Sequence, residues 1–447
     1  MQVNYPLAYN LKIGKVVIHS LQTVYELDCS NSYSNINMRN NRAFGYQELS
    51  DIFKKMAIVI PVKNEKLSVL EGVLSGIPNE CLIIIVSNSE RTSNVDRYSM
   101  EVEMVKQYAR FTDKKIMVIH QKDEGLGKIF KKVNYTSILD SKRKYVRNGK
   151  AEGMVIGILL AKMQSKGYVG FIDSDNYFPG AVNEYVKIFA TGFAMSNTPY
   201  SNVRILWRSK PKIVDNKIRF PRWGRISQAS NKYLNALISS ITGTESDIIS
   251  TGNAGEHALS MPLAENLSYS SGYSVEPHEF INILEKYGGL LPSSSSSTLL
   301  SSSAKSLSIT ADAKIMKKGV EIFQIESRDT HFHEEKGDEH LADMMEDSLL
   351  AINNSKICNT ELTKELQNQL YTLQVKQNNN SNSSNIVYIK SNAGTLTTSI
   401  ANESSKVKDY YQSKKHKIMD PIKEIPIDKF STLLLKSNIT YQNLLNF

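Results

Sequence analysis

The chain is 447 residues long, 41% hydrophobic and 22% charged, enough for two or three structural units with a real core. Its formal charge of +9 is spread over short groups such as Lys142-Arg143-Lys144 and Lys414-Lys415-His416-Lys417, with no basic or aromatic stripe, so nucleic acid is not an expected partner. Three cysteines not spaced as metal ligands (Cys29, Cys81, Cys358), no run of membrane-spanning length and no secretory signal predict a reduced, cytoplasmic protein that does not engage a membrane.

Residues 1–50 hold short strand-like runs such as Val16-Val17-Ile18-His19. From Met56 the pattern changes. Ala57-Ile58-Val59-Ile60-Pro61-Val62 is a near-continuous apolar run, suited to a strand covered on both faces. A helix pattern from Lys66 to Leu74 follows, then a second such strand, Leu82-Ile83-Ile84-Ile85-Val86-Ser87, and a helix pattern over 99–111. Lys115-Ile116-Met117-Val118-Ile119-His120 reads as a third strand, and Gly153 to Gln164 as a helix leading into a strand that ends at Asp173. Strands alternating with helices predict an α/β fold with a doubly wound, mostly parallel sheet and helices on both faces. In such sheets ligands lie beyond the carboxyl ends of the strands. Thr251 to His257 is a small-residue turn that reads as leading into a helix over 258–267. The division that results is an N-terminal segment (1–50), a main α/β domain (51–288), a flexible Ser-rich insertion (289–312), a histidine-bearing part (313–374) with a strand at 320–325 and a helix over 337–373, a flexible Asn/Ser-rich linker (375–410) and a small docking segment (411–447).

Phe171-Ile172-Asp173-Ser174-Asp175-Asn176 carries the most chemical information. Alternation places Asp173 and Asp175 on one side of a strand as it runs out, and paired hard oxygen ligands there suit a Mg²⁺ or Mn²⁺ that also holds phosphates. The same run also serves as an ordinary strand-to-turn exit. Three earlier exits put donors and a cation on the same rim, as a nucleotide's base, ribose and diphosphate need: Pro61-Val62-Lys63-Asn64-Glu65, Ser87-Asn88-Ser89-Glu90-Arg91 and His120-Gln121-Lys122-Asp123. Lys150, within Arg147-Asn148-Gly149-Lys150-Ala151-Glu152-Gly153, stands beside glycine at a helix start, where N–H groups and an ammonium hold phosphate. The spacing is not that of a Walker loop, and a plain capping loop reads equally well. The turn Thr251-Gly252-Asn253-Ala254 offers N–H groups, a hydroxyl and an amide to an anionic acceptor, although helix caps look the same. Arg328-Asp329-Thr330-His331-Phe332-His333-Glu334 carries two histidines, which either complete the coordination begun by the aspartates, form a zinc site of their own, or lie in a surface turn.

Taken in order, these stretches resemble the mannosyl-3-phosphoglycerate synthases, retaining glycosyltransferases of GT-A fold. The match also takes in Ser274-Val275-Glu276-Pro277 and Pro421-Ile422-Lys423-Glu424-Ile425-Pro426-Ile427 and covers nearly everything except the two low-complexity segments. The resemblance implies transfer of mannose from GDP-mannose to 3-phosphoglycerate with retention, giving mannosyl-3-phosphoglycerate, from which a phosphatase would release the compatible solute mannosylglycerate. It implies a nucleotide-sugar pocket of Pro61, Val62, Lys63, Glu65, Ser87, Gln121, Lys150 and Asp173. Asp173, Asp175 and Lys150 would act in catalysis, with a Mg²⁺ or Mn²⁺ held by Asp173, Asp175 and His331 (or His333). Thr251, Gly252, Asn253 and Ala254 would receive the acceptor, and a homodimer is compatible with the family. The chain departs from the family pattern at Asp329-Thr330, where Asn-Pro is usual, at Ser174, where Ala is frequent, and at Ala151, where Gly is usual. Two rivals remain on the residues alone: a glucosyl-3-phosphoglycerate synthase using NDP-glucose, and an inactive sugar-nucleotide-binding scaffold. A nucleotidyltransferase is disfavoured, because Lys63-Asn64-Glu65 stands where its glycine-rich loop would follow the first strand.

Overall fold

A computed structural model of the chain describes residues 2–4, 9–21, 23–24, 41–176, 178–214, 216–290, 313–332, 338–381, 417–437 and 439–444. Most of the two low-complexity segments, and His333, lie outside the described residues. Ten strands make the main sheet: β1 (Tyr9–Ile13), β2 (Val16–Leu21), β3 (Met56–Val62), β4 (Leu82–Ser87), β5 (Ile116–His120), β6 (Tyr168–Phe171), β7 (Ser201–Leu206), β8 (His257–Ser260), β9 (Val320–Glu326) and β10 (Gln442–Leu444). Their spatial order is β10-β5-β4-β3-β6-β8-β7-β9-β2-β1. β3 runs parallel to β4 and β6, β4 to β5, β7 to β9 and β9 to β2. β8 opposes both its neighbours, as do the edge strands β1 and β10. The α/β class and the mostly parallel sheet are as expected from the pattern.

The helices in chain order are α1 (Tyr46–Lys54), α2 (Leu67–Gly76), α3 (Arg97–Thr112), α4 (Glu124–Lys132), α5 (Lys150–Met163), α6 (Pro179–Met195), α7 (Arg225–Thr242), α8 (Met261–Ala264), α9 (Val275–Tyr287), α10 (Asp338–Asn353), α11 (Thr360–Ser381) and α12 (Ile427–Lys436). Strand alternation divides the core in two. Ile58, Ile60, Ile83 and Ile85 face one cluster with α2, α3 and α6, while Val59, Ile84 and Val86 face the other with α5. Each fully buried aliphatic side chain contributes about 1.5–3 kcal/mol of transfer free energy. Gly157 lets α5 lie against β3, since a Cβ there would come within 2.3 Å of Val59 Cγ1. β10 closes the edge of β5, and Thr440 just before it accepts from the His120 N–H at 3.1 Å and donates its own N–H to Asp123 at 2.9 Å.

Three expectations are corrected. The residues after Thr251–Glu256 form strand β8 and then the one-turn α8, not one helix, because His257–Ser260 is inserted between β6 and β7 with every residue buried. The helix expected over 337–373 is two, α10 and α11, parted by 354–359. β6 stops at Phe171, so Asp173 and Asp175 stand on the following turn and not on alternating strand positions. Among the described residues no helix is long and apolar enough to cross a membrane.

Candidate functional site

The carboxyl ends of the parallel strands open on one cleft of about 900 Å³, bounded on its far side by α10. Pro61, Val62, Lys63 and Glu65 line it after β3, and Asn88 and Gln121 after β4 and β5. Lys150, Asp173, Asp175, Asn253 and His331 line it as well. Four predicted residues do not. Ser87 is fully buried, its hydroxyl donating to Glu101 at 2.6 Å beneath the end of β4. Thr251 is turned into the sheet, where its hydroxyl donates to Gln324 at 2.7 Å. Gly252 donates its N–H to Asn231 at 2.8 Å, and Ala254 is buried in the core. Of that turn, only Asn253 reaches the cleft, joined by the unpredicted Gly255.

Lys150 opens α5 and spans two carboxylates, Asp173 at 2.6 Å and Glu276 at 2.9 Å. Burial alone would draw its proton off, but Asp173 and Glu276 outweigh that and hold it well above the ordinary lysine value. Gln121 fixes the loop before it by donating to the carbonyls of Arg147 (2.7 Å) and Gly149 (3.1 Å). Gly255 backs the ion pair: a Cβ there would stand 2.3 Å from Asp173 Oδ2 and 3.1 Å from Lys150 Nζ. Next to it Glu256 is fully buried, accepts from Asn176 at 2.9 Å, and has its second oxygen unpartnered among the described residues. Burial, with Asp173 adding repulsion, pushes its carboxyl up to about 7.

His331 is buried, stacked on Trp207 at 4.6 Å between ring centroids, with Nδ1 at 3.2 Å from the Tyr185 hydroxyl. Among the described residues no three His, Cys, Asp or Glu side chains converge closely enough to hold a metal ion. The predicted Asp173–Asp175–His331 set is thus not a closed three-ligand cage. Two carboxylates facing an open cleft do fit a hard divalent ion that takes its remaining ligands from substrate phosphate and water.

Sequence reading missed Trp207, Lys210, Glu276 and the α10 wall that carries His340, Asp343, Glu346 and Asp347. Trp207 and Lys210 follow β7, whose buried Asn202 and Arg204 break the apolar run that marks the other strands. Arg204 is satisfied by Glu279 at 3.1 Å and by the Thr251 carbonyl, contacts that no local pattern shows.

A model of the mannosyl-3-phosphoglycerate synthase family matches residues 8–400. The mannosyl-3-phosphoglycerate synthase of Pyrococcus furiosus is 44% identical over 362 residues, covering 81% of this chain and 87% of that protein. The protein of the same name from Aeropyrum pernix is 34% identical over 327 residues, covering 73% and 79%. A solved structure of glucosyl-3-phosphoglycerate synthase from Mycobacterium tuberculosis with phosphoglyceric acid superposes with a TM-score of 0.44 at 16% identity, over 71% of this chain and 87% of that one. A likeness that distant leaves the chemistry to the residues themselves. On its extended match to the family and to both archaeal relatives, the chain belongs to the mannosyl-3-phosphoglycerate synthase family.

Proposed function

We propose that this glycosyltransferase moves mannose from GDP-mannose to 3-phosphoglycerate with retention, assisted by Mg²⁺ or Mn²⁺. The observation that carries the reading is one cleft in which the Asp173–Lys150 pair stands between the exits of β3–β5 and the Asn253 turn. The donor belongs on the β3–β5 side, where Lys63, Asn88 and Gln121 present a cation and amides. The acceptor belongs on the other side, with its hydroxyl near the anomeric carbon. As the anomeric C–O bond breaks, negative charge develops on the diphosphate, and Lys150 is charged and fixed in place to meet it. A divalent ion, when bound at Asp173 and Asp175, supplies further electrophilic stabilisation of the leaving group. The acceptor oxygen bonds to the anomeric carbon from the face the diphosphate leaves, and its proton passes to the departing phosphate oxygen. Asp173 keeps Lys150 in position and need not act as nucleophile.

The test is a turnover screen of GDP-mannose, GDP-glucose and UDP-glucose against 3-phosphoglycerate and glycerate, with EDTA, Mg²⁺ or Mn²⁺. Product from GDP-mannose and 3-phosphoglycerate, lost in EDTA, is the expected result. Preference for a glucose donor would replace the reading with the glucosyl one, and donor binding without turnover would replace it with a scaffold.

A further inference from the structure

Behind the cleft lies a cluster of charge that takes no part in lining it. Arg204 of β7 and His257 of β8 are paired across those two strands, and both are fully buried. Glu279 of α9 reaches both of them, and it too has no exposure. One of its oxygens accepts from Arg204 at 3.1 Å, and the other lies 3.1 Å from His257 Nε2. Burial opposes the charge on Glu279, but His257 and Arg204 outweigh it and hold the carboxyl below the ordinary glutamate value. Such a cluster adds little net stability, since lost hydration offsets most of the attraction between its charges. Its effect is to fix directions.

The remaining donors of the two cations fix main-chain carbonyls. Arg204 gives Nε and Nη2 to the Thr251 carbonyl at 3.1 and 3.0 Å, and Nη2 also to that of Glu276 at 3.2 Å. His257 Nδ1 stands 3.0 Å from the Ala254 carbonyl oxygen and 3.2 Å from that of Gly255. Both ring nitrogens thus face oxygens that only accept, so the ring donates from each side. Two of these carbonyls belong to residues that stand against the Lys150–Asp173 pair. Glu276 holds Lys150 with its carboxylate at 2.9 Å, and Gly255 lies in close contact with both partners of the pair. Glu279 is therefore linked to the pair by two routes, one through Arg204 and Glu276, the other through His257 and Gly255.

Resting on the mannosyl transfer proposed above, we propose that Glu279 is a positioning residue for that reaction. By orienting Arg204 and His257 it seats Glu276 and Gly255, and so aims the Lys150 ammonium at the departing diphosphate. It touches no substrate itself.

Glu279→Gln keeps the shape and one acceptor, and sets an amide N–H against the donor that faced the other oxygen. Its kcat should fall about ten- to hundredfold, the effect of an ångström-scale misplacement, while its KM for GDP-mannose stays within about threefold. Lys150 also gives a readout that needs no turnover. Acetic anhydride should acetylate it at least about threefold faster in the variant, read by peptide mass spectrometry, because a loosened ammonium gives up its proton more readily. Lys114, buried where it donates to the Ile77 carbonyl, is the control. A rise at Lys150 alone supports the proposal. An equal rise at both lysines would mean that Glu279 serves only general stability, and would overturn it, as would a wild-type kcat. Arg204→Lys guards against a variant that fails to fold. It keeps a cation for Glu279 and loses the planar fork that holds two carbonyls, so it should show the same kcat loss and the same selective labelling. Wild-type values in Arg204→Lys would also overturn the proposal. Wild-type protein that makes no product from GDP-mannose and 3-phosphoglycerate would instead overturn the transferase reading, and the Lys150 labelling would still judge the positioning.

Discussion

On the side of the cleft proposed to take the donor, β3, β4 and β5 arrive as consecutive pieces of chain, and the groups that line the cleft follow each strand within a few residues. The opposite side, proposed to take the acceptor, draws Lys210, Gly224, Asn253 and His331 from separate stretches that come together only when β7, β8 and β9 pair. The first half is built mainly on apolar strands, with few buried polar contacts beneath them, such as those of Glu101 with Ser87 and Ser89. The second is held by buried polar contacts, among them Arg204 with Glu279 and Asn231 with Gly252. A half built from local signals tolerates distant change. A half built from long-range polar contacts should lose function through residues that never touch a substrate.

The largest expected effect tests the point where the halves meet. Asp175→Ala should cut metal-dependent turnover by roughly a thousandfold, several kcal/mol of charge stabilisation, with circular dichroism and Tm unchanged. Turnover near wild type in that variant would remove the aspartates from the chemistry. Next comes an acceptor-side residue that acts across the boundary. Gly255→Ala forces its Cβ against Asp173, and the displaced carboxylate should cost about a hundredfold in kcat/KM. A wild-type rate there would mean that the Asp173–Lys150 geometry is not demanding, and the contrast between the halves would weaken.

The smallest effect lies inside the donor half. Burial raises the Glu101 carboxyl above the ordinary glutamate range, against the hydroxyls of Ser87 and Ser89, which lower it. The folded state thus holds this proton to higher pH than the unfolded chain. Stability from it is lost as pH rises through that interval. Glu101→Gln keeps an acceptor for the serines and removes the titration, so its Tm should fall less than that of wild type between pH 5 and pH 8, as read by about ten thermal melts across the range. Parallel Tm curves for the two proteins would show that Glu101 does not titrate there.

How much was legible follows the same division. The runs at 57–62, 82–87 and 115–120 stand out because both faces of those strands are buried, so no polar residue interrupts them. The aspartate pair and Lys150 were also legible, being short signals at an exit and a helix start. β7 was not, because Arg204 sits in mid-strand with no exposure and has partners at 251, 276 and 279. β8 was misread for a related reason: four residues between two strands are too few to show a period. Both its place at a strand exit and the family resemblance put Ser87 in the pocket, yet the last residue of a strand can face inward, and here Glu101 of α3 holds it there.

The pairing of β10 with β5 carries a cost during synthesis. Thr440 and His120, joined by a hydrogen bond, are 320 positions apart, so the margin of the sheet at β5 stays open until the chain has been made past residue 440. A nascent chain released before that point would present one open edge of Ile116–His120, a strand apolar but for its last residue, to other copies of itself. Premature termination upstream of 440 should therefore give inclusion bodies in place of a soluble fragment.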